Sequence, residues 1–529
     1  MARKKPSRPT DPTDLQPKLP SPVSRRHVLQ GISAVVGTAA LGCGGDGDAF
    51  PQGNAGATSG SSSSSGSGGA GGTGGAGGTG GEGGSGGEGG AGGEGGAGGE
   101  GGAGGGDSCT DDGGLSPEEL LANIDTIVVL CMENRSFDHY LGSLQLVEGR
   151  MINGLTGAES NPDPDGMAVP VFKMDNFTPD DPPHGWAASH AQWNMGANDG
   201  FVTEHSGASQ QEAMGYHVRD QLTATYGLAD AFTVCDAWHA SVMGPTWPNR
   251  FYLHGATAGG NQGNTPIVGG FTSIFEVLSD AGITHRNYFS DLAWASGGYF
   301  KLNGNSAIET FFDDAAAGTL PQFSIIDPQF FGAGANDDHP DHDVQFGQAL
   351  IASVYNALAQ SPQWGRCLLI VTYDEHGGFY DHVAPPTTVD ERPEFTQLGF
   401  RVPTLIAGPF VRKGCAISTP LDHVSVISTL TKRFGLPSLN ARVDATNTVA
   451  SAINPAYLRS PQPPAVLPVV NVSMALLRRP PPGIYHPELW QMAELGLIPR
   501  HLDRRHDSDN IARRVLERGA KLGAVRLRR

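Results

Sequence analysis

Two short runs in this chain are apolar at almost every position, residues 124–132 and Cys367–Tyr373, and both are rich in β-branched side chains. A strand with one wet face alternates, whereas a run apolar throughout predicts a strand covered on both faces, the habit of parallel sheets. Further strands are predicted at 231–235 and 323–326, and 401–409 reads as another core strand with an edge-limiting proline. Helical periodicity marks 273–281 and Val344–Ala359. Strands that alternate with helices predict an α/β fold with a mostly parallel sheet. Residues 153–181, rich in Gly and Asp, read as an excursion over the surface.

Each of the two strongest runs ends directly in a polar motif. Glu133-Asn134-Arg135-Ser136-Phe137-Asp138-His139-Tyr140 follows the first, and Asp374-Glu375-His376-Gly377-Gly378-Phe379-Tyr380-Asp381-His382-Val383 follows the second. In open α/β sheets ligands bind outside the carboxyl ends of the strands, so both motifs sit where a site belongs. Taken singly, Glu133-Asn134 reads as a helix cap and 374–378 as a turn. Taken together they gather carboxylates into one pocket, where repulsion and lost hydration call for a cation. Oxygen ligands favour hard ions and nearby histidines favour zinc or iron, so a divalent metal is expected with its identity open. Asp236 and Asp327, each following a predicted strand, are candidates to add a carboxylate to the rim.

Residues 133–142, 243–250, 374–383 and 399–403, in this order, resemble the motifs of the bacterial and plant phosphoesterase family, which holds the non-specific phospholipases C and a group of respiratory-burst-inhibiting acid phosphatases. The resemblance runs over roughly residues 124–435. It implies an alkaline phosphatase- and sulfatase-like fold, three layers α/β/α around a mostly parallel central sheet. It also implies Thr246 as nucleophile, Glu133, Asn134, Asp374 and Glu375 as metal ligands, and His184 as a histidine facing the phosphoryl group. His339 matches a second histidine of the site, with His342 and Asp343 as further candidates beside it.

The chemistry of these residue types agrees with those roles. A threonine hydroxyl attacks phosphorus poorly until a cation lowers its pKa and holds it in line. Negative charge spreads over the equatorial oxygens of the transferring group, which suits Asn134 and a histidine as stabilisers. Imidazole can protonate the departing alkoxide and later deprotonate water, and the sequence leaves open which of His184 and His339 does which. By residue type alone, Thr246 is a loop threonine among Gly244, Pro245 and Pro248, and His184 is a surface residue. Asn249 and Arg250 read as a pair that buttresses the turn. Asp138, Asp381 and His382 are expected to orient ligands from behind.

The amino terminus adds an address. Ser24-Arg25-Arg26-His27-Val28-Leu29-Gln30 is similar to a twin-arginine export signal, and the apolar stretch 32–42 is too short to span a bilayer. Ala40-Leu41-Gly42-Cys43 resembles a lipoprotein processing site with Cys43 as the lipidated residue, ordinary cleavage after a small residue being the alternative. Residues 53–106 are nearly all Gly, Ser, Ala, Thr and Glu without a proline, which excludes collagen and predicts a flexible linker reaching about 40 Å. The expected division is a signal over 1–43, a linker over 44–114, and one catalytic domain over 115–529 with a basic tail.

A net charge of −19 argues against nucleic acid as a partner. The arginine-rich tail 500–529 is expected as a solvated helix, or as an amphipathic one on an anionic surface. Six cysteines are present; lipidation of Cys43 leaves an odd number, and Cys131, Cys235 and Cys367 lie in apolar runs as buried thiols. No disulfide framework is expected, with a single bridge to Cys415 left open. The expectation is an exported, periplasmic or envelope-anchored monomer that hydrolyses phosphate esters, phospholipid diesters or small monoesters, through a phosphothreonine. A tethered, non-catalytic surface protein that binds through the same pocket is the alternative.

Overall fold

The computed structural model describes residues 109, 111–267, 271–301, 303–480, 483 and 486–529; the twin-arginine motif, Cys43 and the 53–106 linker lie outside these. The central sheet has eight strands: β1 Thr126–Met132, β2 Thr233–Cys235, β3 His285–Phe289, β4 Asn305–Ala307, β5 Phe323–Asp327, β6 Cys367–Tyr373, β7 Leu405–Ala407 and β8 Cys415–Ile417. Across the sheet they run β8-β2-β7-β6-β1-β5-β3-β4. Every neighbouring pair is parallel except the two that β7 makes. β1 and β6 lie at the centre with all their residues buried, because helices cover both faces there.

Helices Thr223–Ala231, Ile308–Ala317, Val344–Ala359 and Ser508–Lys521 pack on one another in one layer. Pro117–Leu121, Thr246–Gly255, Ile274–Asp280 and Val424–Phe434 pack on one another in a second. The sheet between them completes an α/β/α fold, as expected. Among the described residues no helix is long and apolar enough to cross a membrane.

Two local expectations change, and one that was left open is decided. The 401–409 segment yields a three-residue strand that lies inside the sheet between β2 and β6, not at an edge. Pro403 precedes its first residue, so no ladder donor is lost. The tail is neither free nor laid on a surface: Ile511, Val515 and Leu516 are buried, and Arg514 and Arg518 pair with Glu309 and Asp313. Its last strand, Val525–Arg528, runs parallel to Val470–Ser473. A disulfide joins Cys109 to Cys415 on β8, and Cys131, Cys235 and Cys367 are free and buried.

Register positions the site. Met132 pairs with Tyr373, and Asp374 N–H donates to the Met132 carbonyl at 3.1 Å. Glu133 and Asp374 therefore leave adjacent parallel strands side by side. Asp327, at the end of β5, arrives from the other flank of β1.

Candidate active site

Past the strand ends the two motif loops interlock. Asn134 adopts φ 55°, a left-handed conformation that costs a non-glycine residue energy, and its N–H donates to Asp374 Oδ1 at 3.0 Å. Gly377 and Gly378 also have positive φ, and a Cβ on Gly377 would come within 2.1 Å of the Asn134 carbonyl. A Cβ on Gly378 would fall 2.6 Å from Pro182. The paired glycines thus permit a three-way contact between the Asn134 turn, the Glu375 loop and the 181–185 segment that carries His184.

Thr246 is buried and opens the helix Thr246–Gly255. Asn249 fixes that opening: its Nδ2 donates to the Gly244 and Pro245 carbonyls at 2.9 and 3.1 Å, and its Oδ1 accepts Val242 N–H at 3.0 Å. Arg250 does not share this buttressing role. It lies four residues beyond Thr246, on the same helix face. Its Nη2 donates to Glu133 Oε1 at 2.7 Å and its Nε to Asp374 Oδ2 at 3.2 Å, while Nη1 stands 3.6 Å from Asp327 Oδ1. The reason is electrostatic, since three buried carboxylates leave no tolerable state without a counterion. Part of the positive charge expected from a metal is therefore supplied by the protein.

The remaining oxygens lack hydrogen bonds, although Glu133 Oε2 stands 2.9 Å from His486 Nε2. Asn134 Oδ1, Glu133 Oε2, Glu375 Oε1 and Asp337 Oδ2 are buried and accept no hydrogen bond. Such atoms are costly unless something binds them, and a set of carboxylate and amide oxygens fits a divalent cation. Two further groupings mix oxygen and nitrogen donors: Asp181, His184 and His339, and Glu133, Asp337 and His486, with ligand atoms within 4.8 Å of one another in each.

His184 Nδ1 lies 2.8 Å from the Pro182 carbonyl, so Nε2 faces inward, 3.2 Å from Asn134 Nδ2 and 3.8 Å from Glu375 Oε1. His184 and Asp181 keep 15% and 30% of their side chains exposed, so this side of the cluster is the one open to solvent. His339 lies deeper, its ring 6.1 Å from that of His184, its N–H donating to Asp337 Oδ1 at 3.1 Å. Burial favours neutral His184, yet Glu375 and Asp181 outweigh it and lift its pKa to about 9. Burial dominates at His339 and drives it well below the usual histidine range. Burial lifts Glu375 to about 7 against the pull of His184, and lifts Asp374 with help from Glu133. Burial also acts to raise Glu133, but His486 and Arg250 together hold it below the ordinary carboxylate range.

The expected site residues Glu133, Asn134, Asp374, Glu375, His184 and His339 are thus gathered at one end of β1 and β6, and Thr246 lies one helical turn from Arg250, which reaches Glu133 and Asp374. Asp343 caps the helix Val344–Ala359, accepting Gln345 N–H at 3.1 Å, and pairs with Arg479. His342 pairs with Asp337. Asp236 turns away and accepts Asn153 N–H at 2.9 Å, whereas Asp327 joins the Arg250 cluster. Asp138, Asp381 and His382 meet at Arg401 and touch none of the expected ligands. Sequence reasoning missed Asp337, the charge role of Arg250, and His486. His486 stands in a proline-rich stretch far from any motif and carries no local signal.

Residues 124–437 match the phosphoesterase family. The chain belongs to that family. It is accordingly a hydrolase of phosphoester bonds. It is 36% identical over 358 residues to non-specific phospholipase C6 of Arabidopsis thaliana, covering 60% of this chain and 69% of that one. Phospholipase C A of Mycobacterium tuberculosis is 31% identical over 394 residues, covering 60% of this chain and 74% of that one. Likeness to solved structures is looser: the phosphonate monoester hydrolase of Agrobacterium radiobacter overlays with a TM-score of 0.31 at 11% identity, covering 62% of this chain and 77% of that one.

Proposed function

We propose that this phosphoesterase is an exported phospholipase C-type enzyme in which Thr246 is the nucleophile. The observation that carries the reading is the reach of Arg250 to Glu133 and Asp374, because it lays the Thr246 face of its helix over the carboxylates that end β1 and β6. Attack by Thr246 Oγ1 on phosphorus, its proton released to solvent as the hydroxyl ionises, forms a phosphothreonine and breaks the bond to the departing alcohol. His184, on the open side and with its pKa lifted, supplies the proton that the alkoxide takes. Deeper in, neutral His339 takes a proton from the water that then releases phosphate or a phosphomonoester and hands it to the departing Thr246 Oγ1, while His184 regains its proton from solvent. Glu133, Asn134, Asp374 and Glu375 would hold a divalent cation, which acidifies the hydroxyl and offsets charge on the phosphoryl oxygens. Asn134 and the amino end of the Thr246 helix orient the phosphoryl group.

A phospholipid diester is favoured over a small monoester because the curated relatives are phospholipases C. The Cys109–Cys415 bridge supports export, since such bridges persist in oxidising compartments. Purified protein offered p-nitrophenyl phosphate, p-nitrophenyl phosphorylcholine and phosphatidylcholine, with and without chelator, tests the reading. Hydrolysis of both choline esters, lost on chelation and regained with added metal, is expected. Activity on the monoester alone replaces the phospholipase with a phosphatase. Silence on all three with every divalent metal tried leaves only a tethered binding protein.

A further inference from the structure

The orphaned atoms beside the catalytic groups fall into a pattern of their own. Glu133 spends Oε1 on Arg250 and leaves Oε2 without a hydrogen bond. Asp337 spends Oδ1 on the His339 N–H and His342 and leaves Oδ2 without one. His486 Nε2 lies 2.9 Å from Glu133 Oε2 without the alignment of a hydrogen bond, and it too is buried. The three residues are at most 6% exposed, come from three separate stretches of chain, and each offers one ligand atom within 4.8 Å of the others'.

Asp337 Oδ2 has no donor, and the group beside Glu133 Oε2 is the His486 imidazole at 2.9 Å, out of hydrogen-bond alignment. A single imidazole nitrogen serves one of them poorly. One cation serves both and gives the nitrogen a partner, and a mixed set of two oxygens and one nitrogen suits the zinc or manganese class. The backbone is bent to make this meeting: His486 has φ 54° and precedes the helix Pro487–Glu494, and its ring is held edge-on to Phe330 at 5.1 Å. His486 also lies beyond residues 124–437, so the third ligand comes from a segment outside the family match.

We propose that Glu133 Oε2, Asp337 Oδ2 and His486 Nε2 hold a divalent cation of the zinc or manganese class, at a site that the carboxyl-terminal segment completes. The site shares Glu133 with the Asn134, Asp374 and Glu375 set and adds Asp337 and His486 to it. Cation held here clasps the carboxyl-terminal segment beyond residue 437 onto the end of β1. It does not require the esterase reading, because binding is measurable without turnover.

The test uses the full chain, stripped with chelator, titrated with Mn²⁺ or Zn²⁺, desalted and assayed for metal by mass spectrometry. His486→Phe keeps the contact with Phe330 and removes the nitrogen. Wild type is expected to retain one more equivalent per chain than His486→Phe, and only wild type is expected to show the full metal-dependent rise in melting temperature. Equal stoichiometry and an equal rise in the two proteins overturn the proposal. Should the variant not fold, crystals of wild type grown with Mn²⁺ decide: an anomalous peak about 2.0–2.6 Å from the three atoms supports the site. A map with no peak there overturns it, and metal at Asp374 and Glu375 in an active enzyme would then leave the phosphoesterase reading standing alone.

Discussion

Two buried ion networks lie behind the same loops, and they are built to opposite rules. In the first, Arg401 donates from Nε to Asp381 Oδ1 at 2.9 Å, from Nη2 to Asp138 Oδ1 at 3.1 Å, and from Nη1 to the Asn153 and Asp236 carbonyls. Asp138 Oδ2 accepts His382 N–H at 2.8 Å and pairs with His382 Nδ1 at 2.6 Å, and His382 Nε2 meets Asn153 Oδ1 at 3.0 Å. None of these four side chains has an orphaned buried atom. In the second, Arg250 joins Glu133, Asp374 and Asp327, yet Arg250 Nη1 and Asp327 Oδ1 meet only at 3.6 Å and Glu133 Oε2 meets His486 Nε2 at 2.9 Å, neither contact with the alignment of a hydrogen bond. A saturated network closes a fold; an unsaturated one of similar composition waits for a ligand.

The largest test of that contrast is chemical. Thr246→Ala is expected to lower turnover by about 10³ or more with the thermal transition little changed, measured as kcat on a phosphorylcholine ester. Full activity in that variant would remove the nucleophile. Arg401→Leu attacks the saturated side: it strands Asp138 and Asp381, so a loss of about 3–5 kcal/mol in unfolding free energy is expected from denaturant titration. Turnover per folded molecule is expected to hold within a few-fold, because Arg401 touches none of the proposed ligands. If activity fell as far as in Thr246→Ala, the two networks would not be separable in function.

Smaller effects refine the picture. Replacing Cys109 and Cys415 together by Ser frees the start of the domain from β8, with an expected cost of about 2–4 kcal/mol against the oxidised parent and no effect on kcat. His382→Gln gives the smallest change and the one that depends on pH. Burial lowers the His382 pKa, but its bonds to Asp138 prevail and raise it above the ordinary 6.5. A group whose folded pKa is raised lends stability that is complete below its unfolded pKa and fades as pH climbs through the folded one. His382→Gln is therefore expected to cost about 1 kcal/mol at pH 5.5 and clearly less at pH 8.5. A cost that grew with pH would show that Asp138 does not hold a protonated His382.

Much of this was legible in residue order. β1 and β6 were readable because a strand buried on both faces must be apolar at each position, and the polar turn after each could fall only at the strand ends. The loops glycines that follow, Gly377 and Gly378, marked a turn correctly, but their reason, a backbone approach too close for a Cβ, is visible only against Asn134 and Pro182. Arg250 was read as local support because its sequence neighbours are Asn249 and Pro248. Its partners come from residues 133, 327 and 374, and burial of all of them together is what forces the pairing.

The amino-acid order alone thus determined the α/β class, the strand ends that bear chemistry and the family motifs, because hydrophobic period and turn chemistry act over a few residues. Only the folded chain decided which charges meet, that β7 runs reversed inside the sheet, that the basic tail packs as part of the domain, and that His486 reaches Glu133 and Asp337. Those outcomes depend on desolvation shared among residues hundreds of positions apart, and no window along the sequence contains that information.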